Sequence, residues 1–187
     1  AYVHDIGTYT HGDDDAKHRA DFFDSGYDAL VELKRAGRIG AFGLGVNEIE
    51  VCLDVMDHGP IDVILLAGRL SLLERRAEEV LVPRCRDAGT SLVLGGIFNS
   101  GILATGVTAT STYDYGPAPE AIKAQVNALA AKAEGLGISL AQAALQFAVS
   151  HPAAASVLIG TAKRASFERN IELAKQDPLE GFSDIFG

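Results

Sequence analysis

The sequence predicts an α/β fold built on a parallel sheet. Five brief apolar runs, "AYVH", "AFGLGV", "IDVILLAG", "TSLVLGGI" and "ASVLIGT", alternate with amphipathic stretches of helical period. These runs are brief and continuous, and most carry glycine or a small polar residue at or near their ends, as strands buried on both faces do. Strand and helix in strict alternation is the pattern of a parallel sheet flanked by helices.

The helices are read from their apolar faces. Phe23, Tyr27, Leu30 and Val31 share one face of a helix that stops at Gly37. Ile49, Cys52, Leu53 and Met56 repeat at i, i+3, i+4 and i+7 and end at Gly59. Ala77, Val80, Leu81, Cys85 and Ala88 mark a third helix, which Pro83 should bend or divide. Ile122, Val126, Leu129, Ala133 and Leu136 mark a fourth, with Pro119 suited to its first turn. Ser139 and Gln142 form a capping-box pattern before Leu140, Ala143, Ala144 and Phe147. A sixth helix runs from about Ser166 through Ile171 to Ala174. Residues 99–118, rich in Gly, Thr and Tyr, are left as a long loop after a strand, a place where function concentrates.

At 187 residues the chain is expected to form a single domain, 1–187. A net charge of −9 argues against a nucleic-acid surface, which needs a basic stripe. Cys52 and Cys85 lie on apolar helical faces without C-x-x-C spacing, so reduced core thiols are expected and no metal site is. No apolar run approaches the roughly 20 residues of a membrane span. The expectation is a cytoplasmic protein with no membrane or nucleic-acid partner and a small-molecule substrate; oligomeric state is left open.

Polar or flexible residues collect after each run: His4-Asp5, Asn47-Glu48, Arg69, Asn99-Ser100 and Thr161. In a parallel sheet these positions face one mouth, where α/β proteins build their sites. The G-x-G-x-x-G fingerprint is absent; "GLGVNE" lacks the third glycine. An open doubly wound sheet and part of an eight-fold barrel both fit this pattern.

Five segments in order carry a resemblance: "YVHDIG", "ALVELKRAGRIGAFGLGVNE", "LAGRLSLLE…LVPRCRDAGTSLVLGGIFNSGIL", "YDYGPAP" and "LAQAALQFAVSHPAAASVLIGTA". Together they resemble the aldo-keto reductase superfamily, and within it the D-threo-aldose 1-dehydrogenase and pyridoxal 4-dehydrogenase branch. The resemblance runs from Ala1 to about Ala174. It implies a (β/α)8 TIM barrel of which this chain carries about strands 4–8 and their helices, strands 1–3 being absent. That superfamily moves a hydride between a nicotinamide cofactor and a carbonyl or alcohol carbon with an Asp, Tyr, Lys and His tetrad. His4 matches the histidine, an orienting and polarising donor; the other three belong to the preceding strands.

The resemblance also implies roles for other positions. Asn47 would contact the nicotinamide carboxamide or the substrate, with Gly45 and Val46 at the usual Ser-Asn positions; otherwise it caps the next helix. Gly96, Phe98, Asn99, Ser100 and Gly101 would line the cofactor diphosphate, with Phe98 standing in for an absent stacking tyrosine. Gly160, Thr161, Lys163, Arg164 and Asn170 would hold the adenosine end; loss of the first cation favours NAD over NADP. Asp5, Arg69, Tyr113 and Tyr115 are candidate substrate contacts, with loop or surface roles as the competing readings. The activity implied is oxidation of an aldose at C1 to a lactone. Pyridoxal oxidation through its hemiacetal is the alternative, and a catalytically incomplete fragment that only binds nucleotide or a partner is the second.

Overall fold

The computed structural model describes residues 1–177 and 180–186. Five strands form the sheet: β1 (Tyr2–His4), β2 (Gly43–Val46), β3 (Val63–Ala67), β4 (Ser91–Gly95) and, late in the chain, β7 (Ala154–Val157). All four pairings are parallel and the spatial order is the chain order, β1-β2-β3-β4-β7. A doubly wound sheet reverses its order at a switch point. The uninterrupted order is that of consecutive barrel strands.

Alternation along the strands separates two faces. On one, the rows Leu44-Ile64-Leu92 and Val46-Leu66-Leu94 run across neighbouring strands, and every member is buried. Helices cover this face. Those between β1 and β2 are α1 (Thr8–His11), α2 (Asp15–Asp21) and α3 (Tyr27–Arg35), the last two joined by a π-helical turn, Phe22–Gly26. After β2 comes α4 (Ile49–His58), which buries Ile49, Val51, Cys52 and Val55. After β3 the expected division occurs: α5 (Arg76–Val80) and α6 (Val82–Ala88) are separate helices, with Pro83 in the first turn of the second. Gly89, at φ 71°, closes α6 in the left-handed conformation that favours glycine. Burial pushes the Cys85 thiol up to about 11, in keeping with an inert core thiol.

The long segment after β4 is not a bare loop. It holds a short helix, α7 (Ile102–Thr105), and a hairpin of β5 (Thr112–Tyr113) and β6 (Gly116–Pro117). Then come α8 (Glu120–Gly135) and α9 (Leu140–Ser150). Pro119 is the cap residue just outside α8 rather than part of its first turn. The Ser139 hydroxyl accepts the Gln142 N–H at 3.1 Å, half of a capping box; the Gln142 side chain turns instead to Gln176. The chain closes with α10 (Arg164–Ala174) and α11 (Phe182–Phe186). Leu103, Val126, Ala144, Phe147 and Phe182 belong to a second core beside the first.

The other face of the sheet carries the row His4-Gly45-Leu65-Val93-Ser156, one residue from each strand. Leu65 and Val93 are only half-buried, with no helix over this face among the described residues.

At the opposite end of the strands, Asp62 accepts the Phe42 N–H at 3.0 Å and pairs with Lys34 at 2.5 Å. Burial alone would raise its carboxyl; Lys34 and the Phe42 N–H outweigh burial and hold it below the ordinary value. The unfolded chain therefore binds more protons in the interval between the two values. Stability from this group is present above the unfolded value and is lost as pH falls through the folded one. Asp62→Asn should flatten the acid limb of stability against pH in denaturant titrations; an unchanged limb would remove Asp62 as a contributor.

Candidate active site

Because the strands are parallel, their carboxyl ends meet at one rim, and the loops leaving it are tied together. After β1 the chain turns sharply: Asp5, at φ 57°, donates its N–H to Gly45 O at 2.9 Å. His4 stands at this turn with its side chain 73% exposed among the described residues. Its Nδ1 lies 2.8 Å from Asp5 Oδ2. The contact is an ion-pair approach rather than an aligned hydrogen bond; the adjacent carboxylate favours a proton on Nδ1, which leaves Nε2 of the neutral ring as an acceptor. In that tautomer Nε2 accepts from a hydroxyl, and the donor role expected of His4 belongs to the imidazolium. Gly45 leaves room for the ring, since a Cβ there would lie 3.2 Å from His4 Cδ2.

Glu48 clamps the next stretch. Its carboxylate accepts the Thr8 hydroxyl at 2.7 Å and the Tyr9 N–H at 3.0 Å. A side chain at Gly7 would meet Glu48 Oε2 at 1.9 Å, so this clamp requires glycine. Arg69, leaving β3, donates Nε–H to Asn47 O at 2.8 Å and its fork to both Asp114 oxygens at 2.9 Å. Tyr9 returns the chain of contacts by donating its hydroxyl to Asp114 O at 3.0 Å. Burial first, then the Asp114 carboxylate, holds the Tyr9 phenol above its ordinary value and keeps that proton in place. Four strand-end loops are thus joined in one ring.

Several expected site residues are occupied by this bracing. Arg69 is committed to Asp114 and Asn47, so it braces the mouth instead of offering a spare cation. Asn47 directs its amide to Ala67 O at 3.5 Å and does not cap α4, whose cap residue is Glu48. Asn99 is buried, accepting from Ser71 Oγ at 2.6 Å and donating to Gly68 O at 3.0 Å. Its side chain therefore fixes the β3 and β4 turns rather than donating to a diphosphate. Tyr113 donates its hydroxyl to Glu74, and burial, reinforced by that carboxylate, pushes its phenol up. It faces a cleft with Asn47 and Arg69 outside the hairpin. Asp114, Tyr9, Glu48 and Ser71 are the bracing residues that sequence reasoning did not single out as site residues. Only the two-residue spacing of a hairpin in "YDYG" signals Asp114.

Beside the ring lies a groove of about 560 Å³ between the β4 and β7 loops. Gly96, Phe98, Ser100, Gly101 and Gly160 line it, together with Leu158, Ile159 and Tyr115. Nothing lies within 4 Å of where a Cβ would stand at Gly101 or Gly160, so the glycines leave the trough open. Among the described residues, the N–H groups of Ser100, Ile159 and Gly160 meet no backbone acceptor. An open trough with outward backbone donors fits the diphosphate of a dinucleotide. Tyr115 borders this groove and also a second, smaller cleft along the hairpin. At the far end Thr161 Oγ1 accepts the Lys163 N–H at 3.3 Å, and Lys163 caps α10 with an exposed side chain. Arg164 is paired with Glu168 at 2.6 Å, and Asn170 is half-buried on α10.

Sequential parallel strands with a polar carboxyl-end mouth define part of a (β/α)8 barrel. The Aldo/keto reductase family profile matches residues 1–180, and the chain belongs to that family. It is 41% identical over 182 residues to pyridoxal 4-dehydrogenase of Microbacterium luteolum, covering 97% of this chain and 53% of that protein. It is 29% identical over 151 residues to D-threo-aldose 1-dehydrogenase of a Pseudomonas species, covering 80% of this chain and 46% of that protein. An aldo-keto reductase of Bacillus halodurans in its holo form superposes with a TM-score of 0.67 at 22% identity, over 86% of this chain and 53% of that one. The chain spans about half the length of the relatives it matches. Among the described residues no helix is long and apolar enough to cross a membrane.

Proposed function

We propose that this chain supplies the histidine and the dinucleotide groove of an NAD(P)-dependent dehydrogenase that oxidises a cyclic hemiacetal to a lactone. The observation that carries the reading is one mouth bordered both by an exposed His4 and by the glycine-lined groove at Gly96–Gly101 and Gly160. A bound nicotinamide dinucleotide would supply the hydride acceptor. In this reading the backbone of Ser100, Ile159 and Gly160 binds the diphosphate. Lys163 and Asn170 lie toward the adenosine end. The absence of a cation at Gly160–Ala162 and the pairing of Arg164 support NAD over NADP. His4 Nε2 accepts from the lactol hydroxyl and orients it, while Asp5 keeps the proton on Nδ1. The tyrosine and lysine that the resemblance implies for proton transfer have no counterpart among these mouth residues.

Greater identity to the pyridoxal enzyme than to the aldose enzyme supports pyridoxal over an aldose as substrate. The test titrates NADH and NADPH against the protein by fluorescence, then assays oxidation of pyridoxal and of a D-threo-aldose. Dinucleotide binding with oxidation of either substrate is expected from the intact protein. Binding without turnover by the 187-residue chain would identify a nucleotide-binding unit lacking its proton-transfer groups, and absence of binding would sink the reading.

A further inference from the structure

We propose that Tyr115 packs its ring on a planar base of the dinucleotide in the β4–β7 groove, and that Arg69 and Asp114 are positioning residues for that ring. The proposal rests on the cofactor reading above. The hairpin pairs Tyr113 with Gly116, leaving Asp114 and Tyr115 as its two-residue turn, with φ 48° and 62°. Both signs are positive, the signature of a type I′ turn, which strongly prefers Asn-Gly or Asp-Gly. Asp tolerates the left-handed region; a bulky tyrosine does so only under strain.

Folding gives that strain little return. Among the described residues the Tyr115 side chain makes little packing contact, since the residue is 79% exposed. Its aromatic neighbour is Tyr9, 6.3 Å away and tilted by 49°. The turn is instead held from outside: by the Arg69 fork on Asp114, by the Tyr9 hydroxyl on Asp114 O, and by Ser100 Oγ, which accepts the Tyr115 N–H at 3.3 Å. A residue that is strained, exposed, and braced by two other strand-end loops and by Ser100 of its own segment is being presented to something. Backbone strain of this kind persists where the surroundings over-determine it, commonly at ligand sites. The ring borders the groove assigned to the dinucleotide, and every base offers a π-face on which a tyrosine can stack.

The conformational argument supplies its own control. Tyr115→Gly restores the preferred Asp-Gly turn, so the protein should melt no lower than wild type while losing the ring. In the intact protein, NADH and NADPH binding is read by fluorescence titration, with no turnover required. Tyr115→Gly should raise Kd for both about tenfold, the size of a lost base–aromatic stack, and Tyr115→Phe should stay within about twofold. Arg69→Gln should weaken binding in the wild-type background and have much less effect in the Tyr115→Gly background, because it acts through the ring. Equal effects in both backgrounds would overturn the positioning role. Unchanged Kd with a raised substrate KM in Tyr115→Gly would place the ring on the substrate and overturn the assignment. Wild type that bound neither dinucleotide would remove the cofactor reading itself, and the assignment with it.

Discussion

His4→Ala in the intact protein is expected to lower kcat by about two orders of magnitude, the lower end of what a positioned acid–base group contributes. Dinucleotide Kd should stay within about twofold, because the groove at Gly96–Gly101 and Gly160 does not include His4. The expectation follows from how the ring is held. Asp5 holds Nδ1 from one side, Gly45 clears space on the other, and the exposed Nε2 has no partner within the described residues. A group held this way can act on a substrate hydroxyl. Equal losses in kcat and kcat/KM would mark an interaction made in the transition state; a rise in KM alone would mark uniform binding. Asp5→Asn should give a smaller loss, since an amide can still accept from Nδ1–H but no longer favours that tautomer with a charge. Unchanged kcat in His4→Ala would take the histidine out of the site. An unfolded variant is separated from the expected loss by its lost dinucleotide binding.

The sheet was legible because its evidence is local. Each of the five runs carries its own apolar core and terminator, and parallel order follows from the alternation with helices. The barrel, however, came from resemblance; the residues alone left an open sheet equally available until the order β1-β2-β3-β4-β7 decided it. The hairpin was illegible for a reason now visible. Its turn residues, Asp114 and Tyr115, lack the glycine that marks a type I′ turn, and what stabilises them comes from Arg69, 45 residues earlier, and from Tyr9, 105 residues earlier. The same distance hid the contacts that Arg69 and Asn99 make across the loops. A charged or amide side chain after a strand reads as available chemistry, but here each is spent on joining loops. His4 was found because it ends a strand; Tyr9 was missed because nothing in its neighbours predicts the long-range contact with Asp114.

The second large effect concerns stability and follows from the difference between the two faces of the sheet. Leu66 is fully buried in β3, the middle strand, in register with Val46 on one side and Leu94 on the other. Helices cover this row, so truncation leaves a cavity whose walls belong to three strands and cannot easily collapse. Leu66→Ala should therefore cost about 3 kcal/mol in urea unfolding, within the range for fully buried leucines. Leu65, one residue earlier, points to the face that carries His4 and Val93, where no helix lies over it. Its truncation removes fewer contacts and leaves no closed void, so Leu65→Ala should cost only about 1 kcal/mol in this chain. Because the two positions are adjacent, on the same strand and of the same residue type, propensity and unfolded-state effects nearly cancel between them. An equal loss from both would mean that the His4 face of this chain is as tightly covered as the helix face.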